Sequence, residues 1–447
     1  MENEEKRTGT NGWALIPFLV FAVFYVGLSL YAGRCGFDMP WYKVPMPIAF
    51  LVASAVSIAI GRRKSLDERI DMYAFGMGET NIMIMCLIFI LAGAFAAVAK
   101  GSGAVDAAVT IARAYVPARF MVAGVFLVSC VISTAIGTSC GTIAAVTPIA
   151  LGFSGPLSLP PALLMGAVIG GAMFGDNLSM ISDTTIAATR TQGVRMQDKF
   201  CANIRIAAPA ALVALAIYAV AGSSAGEVGA AVEISFEQVV LIVPYVLVLV
   251  LALFGFNVMA LLFSGTILSA VLGFAYGKFD FFGSLDLLGK GTLGMSETLI
   301  VAILAGGLFR SVQSNGGIAW LTDFIAKLIR GPRTCEFGMA VLVALVNCFT
   351  ANNTVAIVIA GPIARVCSEK FKADPTRIAS VLDTVSCVVQ GLIPYGAQIL
   401  IAVGIAKGMD FTVSPAALIG RLYYQPILAL AVLIAMVFAY RRRGPQG

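Results

Sequence analysis

The sequence predicts an all-α membrane protein of about 12–14 hydrophobic segments, arranged as two inverted-topology repeats with broken helices or re-entrant hairpins. Three observations point there. Of 447 residues, 59% are hydrophobic and only 12% charged, against about 25% charged residues in a soluble domain. The charges are clustered, so that residues 120–175, 238–277 and 8–33 contain no Asp, Glu, Lys or Arg. A run of short motifs beginning at Gly76 also returns, in the same order, from Gly294 onward.

A helix crossing hydrocarbon needs about 20 apolar residues. The first uncharged block therefore holds two or three crossings and the second holds two. The stretch 13–32 is long enough to span and reads as a retained span rather than a cleaved leader. The net charge of +6 argues for membrane orientation rather than nucleic-acid binding, because the basic residues sit in short loops between apolar blocks. With both termini on the cytoplasmic side of a bacterial inner membrane, the cytoplasmic loops collect 21 of the 30 Lys and Arg, Lys199 and Arg205 among them. The acidic loop 223–237 then falls outside. The nine cysteines have no paired spacing and read as small apolar fillers.

The repeat is explicit. Gly76-Met77-Gly78-Glu79-Thr80 recurs as Gly294-Met295-Ser296-Glu297-Thr298, and Ile90-Leu91-Ala92-Gly93 as Ile303-Leu304-Ala305-Gly306. At a shift of 214, Pro148-Ile149-Ala150 recurs as Pro362-Ile363-Ala364, and Thr138-Ser139-Cys140 falls on Asn352-Asn353-Thr354. This divides the chain into N-terminal spans (1–75), a first repeat (76–222), a connecting loop and helix pair (223–293), and a second repeat with a basic C-terminus (294–447). In the orientation above the first repeat starts inside and the second outside. Inverted repeats whose broken helices meet near the midplane are the architecture of alternating-access transporters.

Each half carries an interruption that a lipid-facing helix would not tolerate. Residues 136–142 combine two glycines with three hydroxyls, ahead of Pro148; Asn352, Asn353 and Thr354 precede Gly361 and Pro362. Unwound backbone at this depth persists only where it is buried in protein or lines a cavity. There its carbonyls and hydroxyls become hard oxygen ligands for a small cation. The competing reading is close helix packing through small residues.

The sharpest feature is the run 175–185. Asp176 and Asp183 are seven residues apart, about 20° short of two helical turns, so a continuous helix puts Asp176, Ser179 and Asp183 on one stripe. Asn177, Met180 and Thr184 then lie beside it, and Ser182 and Thr185 add further hydroxyls. A carboxylate at membrane depth costs several kcal/mol unless it is paired, protonated or bound to a cation. Desolvation and mutual repulsion favour protonation of at least one of two such acids. The pair can then hold a proton or Na+ but is poorly set up to hold both. The alternative places Asp183 at a solvated cytoplasmic mouth near Arg190. At the 214 shift, Gln390 stands opposite Asp176 and Gln398 opposite Thr184, around a break at Pro394. Asp383 reads as a helix-end residue. Glu79 and Glu297 open the repeats, where helix dipoles favour acids; with Asn177 and Asp383 they form a second tier.

Several enzyme classes are excluded. The chain has no histidine, so the formal GxSxG match at 137–141 cannot work as a Ser-His nucleophile. Position 174 is Phe rather than the Gly of an intramembrane GxGD protease, and there is no GxxxxGK[ST] phosphate loop. Energy must then come from an ion gradient, and no cofactor is expected.

The segments GTSCGTIAAVTPIA (137–150) and FGDNLSMISDTTIAAT (174–189) resemble the signature of the NhaC-type Na+/H+ antiporters of the ion transporter superfamily, over most of the chain. The resemblance implies an inverted-repeat fold that handles Na+ and H+ around Asp176 and the run 182–185. That group includes Na+/H+ antiporters, malate/lactate exchangers and Na+-linked amino-acid carriers. The chain departs from the antiporter pattern at Cys140, where Trp is usual, at Met180, where Pro is usual, and in GLIPYGAQ (391–398), where a PLIPW-like form is usual. Two functions follow. In Na+/H+ antiport, Asp176 and Asp183 titrate, Thr138, Ser139, Ser182 and Thr184 supply neutral oxygens, and Asn352, Asn353, Thr354 and Gln398 form the facing wall. In the alternative, the same ion site drives a small organic solute, an amino acid or carboxylate. The expected partners are Na+, H+ and the bilayer, with a homodimer allowed and no nucleic acid.

Overall fold

The structure, a computed structural model, describes residues 10–37, 43–60, 65–224 and 234–438. The extreme termini, the basic residues 62–64 and the 225–233 part of the acidic loop lie outside the described residues, so the orientation expected from them does too.

Every regular element among the described residues is a helix. Among the described residues ten helical stretches are long and apolar enough to cross a membrane, and Met46–Ile60, Ser139–Gly152 and Tyr424–Phe438 are shorter apolar helices. Large apolar side chains such as Leu127, Val131, Leu212, Phe263, Phe274 and Leu433 stand outward. On a soluble protein such a surface would aggregate; against lipid tails it costs nothing. The chain is a multi-pass membrane protein.

Four helix breaks organise the interior, and they come in pairs. The helix Met121–Ile136 ends at Gly137 in the left-handed region (φ 74), passes through extended Thr138 (φ −145, ψ 124) and resumes as Ser139–Gly152. The helix Pro332–Thr350 ends at Ala351 (φ 50), passes through extended Asn352 (φ −145, ψ 115) and resumes as Asn353–Phe371. The helices Pro161–Leu178 and Pro375–Leu392 both begin with proline, whose fixed φ suits the first helical position. Both then stop at an extended residue, and the chain resumes as Asp183–Gln192 and Ala397–Gly408. The boundaries 136, 139, 161, 178 and 183 recur at 350, 353, 375, 392 and 397. The offset of 214 seen in short sequence matches is thus also the offset of the backbone breaks.

The helix Pro161–Leu178 packs closely on Met121–Ile136 because Gly171 and Gly175 leave no Cβ between the two backbones. A Cβ on Gly171 would sit 2.6 Å from the Ser129 Cβ, and one on Gly175 would strike the backbone at Ser133 and Thr134. Small residues four apart permit this approach between membrane helices. Ser133 Oγ then donates to the Ala172 carbonyl at 2.5 Å, which fixes the end of the helix that carries Asp176.

Candidate functional site

The four breaks meet around one carboxylate. Asp176 lies in the last turn of Pro161–Leu178 and is 5% exposed. Its Oδ2 accepts from Ser139 Oγ at 2.9 Å and from Asn353 Nδ2 at 3.4 Å, and its Oδ1 accepts from Ser182 Oγ at 2.7 Å. Ser139 and Asn353 are the first residues of the two resumed helices, and Ser182 is the N-cap of Asp183–Gln192. Three helix N-termini therefore each send a side-chain donor to one carboxylate. Helix N-termini carry partial positive charge, each contributing about 0.3–1 kcal/mol to an anion placed there.

The contacts continue into the second half. Gln398 Nε2 donates to Ser139 Oγ at 2.9 Å, and Gln390 Nε2 donates to Gln398 Oε1 at 2.9 Å and to the Ala351 carbonyl at 2.8 Å. Gln390 thus serves the second break from the position that Asp176 occupies in the first. Ser182 Oγ also lies 2.7 Å from Thr184 Oγ1, where either oxygen can donate. Ser139, Ser182, Asn353, Gln390 and Gln398, all expected from sequence, are brought together at Asp176, with Thr184 one contact behind.

Other expected residues do different work. Asn352 uses its Oδ1 to accept from the Val355 amide at 3.0 Å, capping its own helix. Thr138 sits at the equivalent cap position without a side-chain cap bond, and its carbonyl accepts from Thr142. Thr354 is half-buried, its amide held by Asn353 Oδ1, and Pro394 lies in the 393–396 break. Ser179 is buried and its carbonyl accepts from Thr185 Oγ1 at 2.8 Å, bracing the 179–182 break across its gap. Glu79 stands at the N-cap of Thr80–Gly101, and Glu297 pairs with Lys407 at 3.3 Å near the surface.

Two expectations are corrected. Asp176, Ser179 and Asp183 do not form one helical stripe, because the chain leaves the helix after Leu178. Ser179 (ψ 135) and Ser182 (ψ 138) are extended, and the run turns back so that Ser182 reaches Asp176. Asp183 opens the next helix as an exposed residue, where the helix dipole favours it. Asp383 is not a helix-end residue: it lies mid-helix in Pro375–Leu392, is 0% exposed and pairs with Lys199 at 2.5 Å.

Lys199 is the residue that sequence reasoning missed. Counted as a loop cation, it is 1% exposed and enters the interior from the first turns of Met196–Ala221. Its Nζ also donates to the Asn177 carbonyl and to Thr185 Oγ1, both at 2.7 Å. Asn203, one turn on, donates to Asn177 Oδ1 at 2.6 Å and to Asp383 Oδ2 at 2.9 Å. The sequence signal was present: Lys199 and Asn203 share a face at i, i+4 of an apolar helix.

Among the described residues three acids are buried: Asp176, Glu336 and Asp383. Glu336 takes two bonds from Arg377, at 2.6 and 2.9 Å, and Asp383 takes Lys199. Among the described residues no Lys or Arg lies within ion-pair distance of Asp176, and the partners it has are neutral. A breached helical bundle with an uncompensated acid at the junction of its breaks defines an ion-coupled secondary transporter.

Residues 48–223 and 227–438 match the model of the Na+/H+ antiporter family, and the chain belongs to that family. It is 22% identical over 430 residues to the malate-2H(+)/Na(+)-lactate antiporter of Bacillus subtilis, covering 89% of each chain. It is 26% identical to the arginine/ornithine antiporter ArcD of Halobacterium salinarum, over 88% of this chain and 85% of that one. The Na(+)/H(+) antiporter NhaC of B. subtilis is 24% identical, over 79% and 84% respectively.

Proposed function

We propose that this chain exchanges Na+ for H+ across a bacterial inner membrane by alternating access, with Asp176 holding either ion. The observation that carries this reading is the contrast among the buried acids. Asp383 and Glu336 each have a fixed cation, whereas Asp176 has only hydroxyls and an amide. An unpaired buried charge costs several kcal/mol, and each bond from a neutral donor to it returns about 1.5–3 kcal/mol. The donors make the ionised form accessible, and a mobile cation or proton completes its neutralisation.

The hydroxyls suit both states. Ser139 and Ser182 donate to Asp176 when no cation is present, and a hydroxyl can rotate to offer its lone pairs instead. Ser182 has a second acceptor in Thr184 Oγ1, so its proton has somewhere to go when the oxygen turns toward Na+. Oxygen ligands of this kind suit a small hard cation. One carboxylate cannot hold a proton and a Na+ together, and that exclusion couples the two flows. The two halves rock about the breaks in inverted topology, both termini cytoplasmic, exposing Asp176 to one side at a time.

The test is Na+-triggered collapse of an imposed ΔpH in proteoliposomes, read with a pH-sensitive dye. Wild-type collapse and its loss in Asp176→Asn are expected; wild-type rates in Asp176→Asn would overturn the assignment. Relatives named for organic cargo motivate a second arm with labelled amino acids and small carboxylates. Uptake strictly dependent on a Na+ gradient, without ΔpH collapse by Na+ alone, would replace the antiport reading with Na+-driven solute transport.

A further inference from the structure

We propose that Lys199 is a tethered cation occupying a second monovalent-cation site, built from the Asn177 carbonyl, Thr185 Oγ1 and Asp383 beside the Asp176 site. Lys199 carries three N–H donors, and three oxygens meet them: Asp383 Oδ2 at 2.5 Å, the Asn177 carbonyl at 2.7 Å and Thr185 Oγ1 at 2.7 Å. One is a carboxylate, one a backbone carbonyl freed at a helix end, and one a hydroxyl. That is the ligand chemistry of a hard monovalent cation, with a backbone carbonyl in place of the second hydroxyl and the amide that contact Asp176.

Two buried oxygens near this cluster remain unused: Asp383 Oδ1 and Asn203 Oδ1 have no hydrogen-bond partner. An ammonium has only three protons and saturates on three acceptors, whereas a bare cation collects further oxygens. The residues around Lys199 thus carry two oxygens beyond the three it engages, together with one unpartnered donor, Asn177 Nδ2. The cluster also spans the two halves, since Asn177 and Thr185 flank the 179–182 break while Asp383 lies on Pro375–Leu392.

The tether has a consequence for transport. A fixed ammonium neutralises Asp383 without leaving, so only Asp176 exchanges ions with the two solutions. Were position 199 uncharged and small, Asp383 would draw a second Na+ from the medium. Lys199 therefore sets the number of Na+ ions carried per cycle. The inference rests on the reading of Asp176 as the exchanging site.

The experiment measures Na+ bound per chain, by equilibrium binding of radioactive Na+ to the purified full-length protein, with choline chloride holding ionic strength constant. Wild type is expected to bind one Na+, Lys199→Ser two, and Lys199→Ser/Asp383→Asn one. The Na+ dependence of thermal stability is expected to steepen from a Hill coefficient near one to near two in Lys199→Ser alone. A single Na+ in folded Lys199→Ser, beside a single Na+ in wild type, would overturn the inference. If Lys199→Ser is folded only when purified in Na+, the ion is replacing the ammonium and the inference stands. If it stays unfolded in high Na+ while the double variant folds, Na+ cannot replace the ammonium and the inference falls. A wild type that binds no Na+, beside a Lys199→Ser that binds one, would remove the Asp176 reading and leave this one standing.

Discussion

Replacing Gly137 with alanine puts the geometry of the first break to a quantitative test. Gly137 holds φ 74, ψ 21, a conformation that costs an L-residue about 1–2 kcal/mol. A Cβ there would lie 2.7 Å from Ile181 Cγ1 and 3.1 Å from both the Ile181 carbonyl carbon and Ser179 Oγ. The Ile181 side chain is exposed and can swing away, but the backbone of the 179–182 segment must move, and such overpacking costs typically about 1–3 kcal/mol. Together these predict a loss of about 2–5 kcal/mol for Gly137→Ala. The equivalent residue in the second half is already alanine, at φ 50. Ala351→Gly would relieve the strain but lose a buried methyl, worth about 0.8 kcal/mol, and raise unfolded-state entropy by about 0.5–1 kcal/mol. The net change is near zero. Thermal unfolding in detergent, followed by tryptophan fluorescence, should place Ala351→Gly beside wild type and Gly137→Ala well below it. Exchange should also suffer in Gly137→Ala, because the displaced segment carries Ser182 away from Asp176. Equal melting of Gly137→Ala and wild type, or an equally large fall in Ala351→Gly, would refute the reasoning.

Asp176→Asn should abolish Na+/H+ exchange while melting at or above wild type, since a neutral amide removes the unpaired charge; Asp183→Asn, at an exposed position, should keep most of the exchange rate in the same vesicle assay. Because Na+ binds only the ionised carboxylate, apparent Na+ affinity should fall as pH falls, by about tenfold per pH unit once protonation of Asp176 dominates; an affinity flat with pH from acid to alkaline would count against a shared site. Glu336→Ala leaves Arg377 without its carboxylate partner and should cost about 3 kcal/mol, seen as a lower melting temperature with Na+ binding per folded chain unchanged.

The breaks were legible in the sequence because they are written in local chemistry. Gly137 ends a helix wherever it stands in the left-handed region, Pro161 and Pro375 start helices, and polar runs such as 138–140 and 352–354 cannot face lipid. The one-stripe arrangement of Asp176 and Asp183 failed for the same reason: a rule based on 3.6 residues per turn holds only while the helix continues, and Ser179 to Ser182 leave it. The role of Lys199 was hidden by a different limit. Its position near a helix start reads as a loop cation under the positive-inside rule, and only tertiary packing reveals that Asp383, far away in the chain, has been brought to it. Asn353, Gln390 and Gln398 could be named together with the first half because the repeat supplied long-range information that a single helix lacks, and the structure joins them to Ser139 and Asp176 by hydrogen bonds.

The two halves are built alike in backbone and unlike in charge, and that difference bears on how the site works. Asp176 and Gln390 occupy equivalent positions before equivalent breaks, yet one is an acceptor needing a cation and the other donates from its amide nitrogen to the Ala351 carbonyl and to Gln398. A carboxylate at both positions would demand two mobile cations within one low-dielectric pocket, each raising the cost of the other. Under the reading proposed above, an amide at both would leave no carboxylate for Na+. With one of each, the second break supplies a rigid neutral brace, and its Gln398 fixes Ser139, the residue that itself donates to Asp176. A hydrogen-bonded chain of Ala351, Gln390, Gln398 and Ser139 thus links the second half to Asp176. Under the exchange cycle proposed above, that chain is the route by which occupancy of one carboxylate would bias the position of both halves.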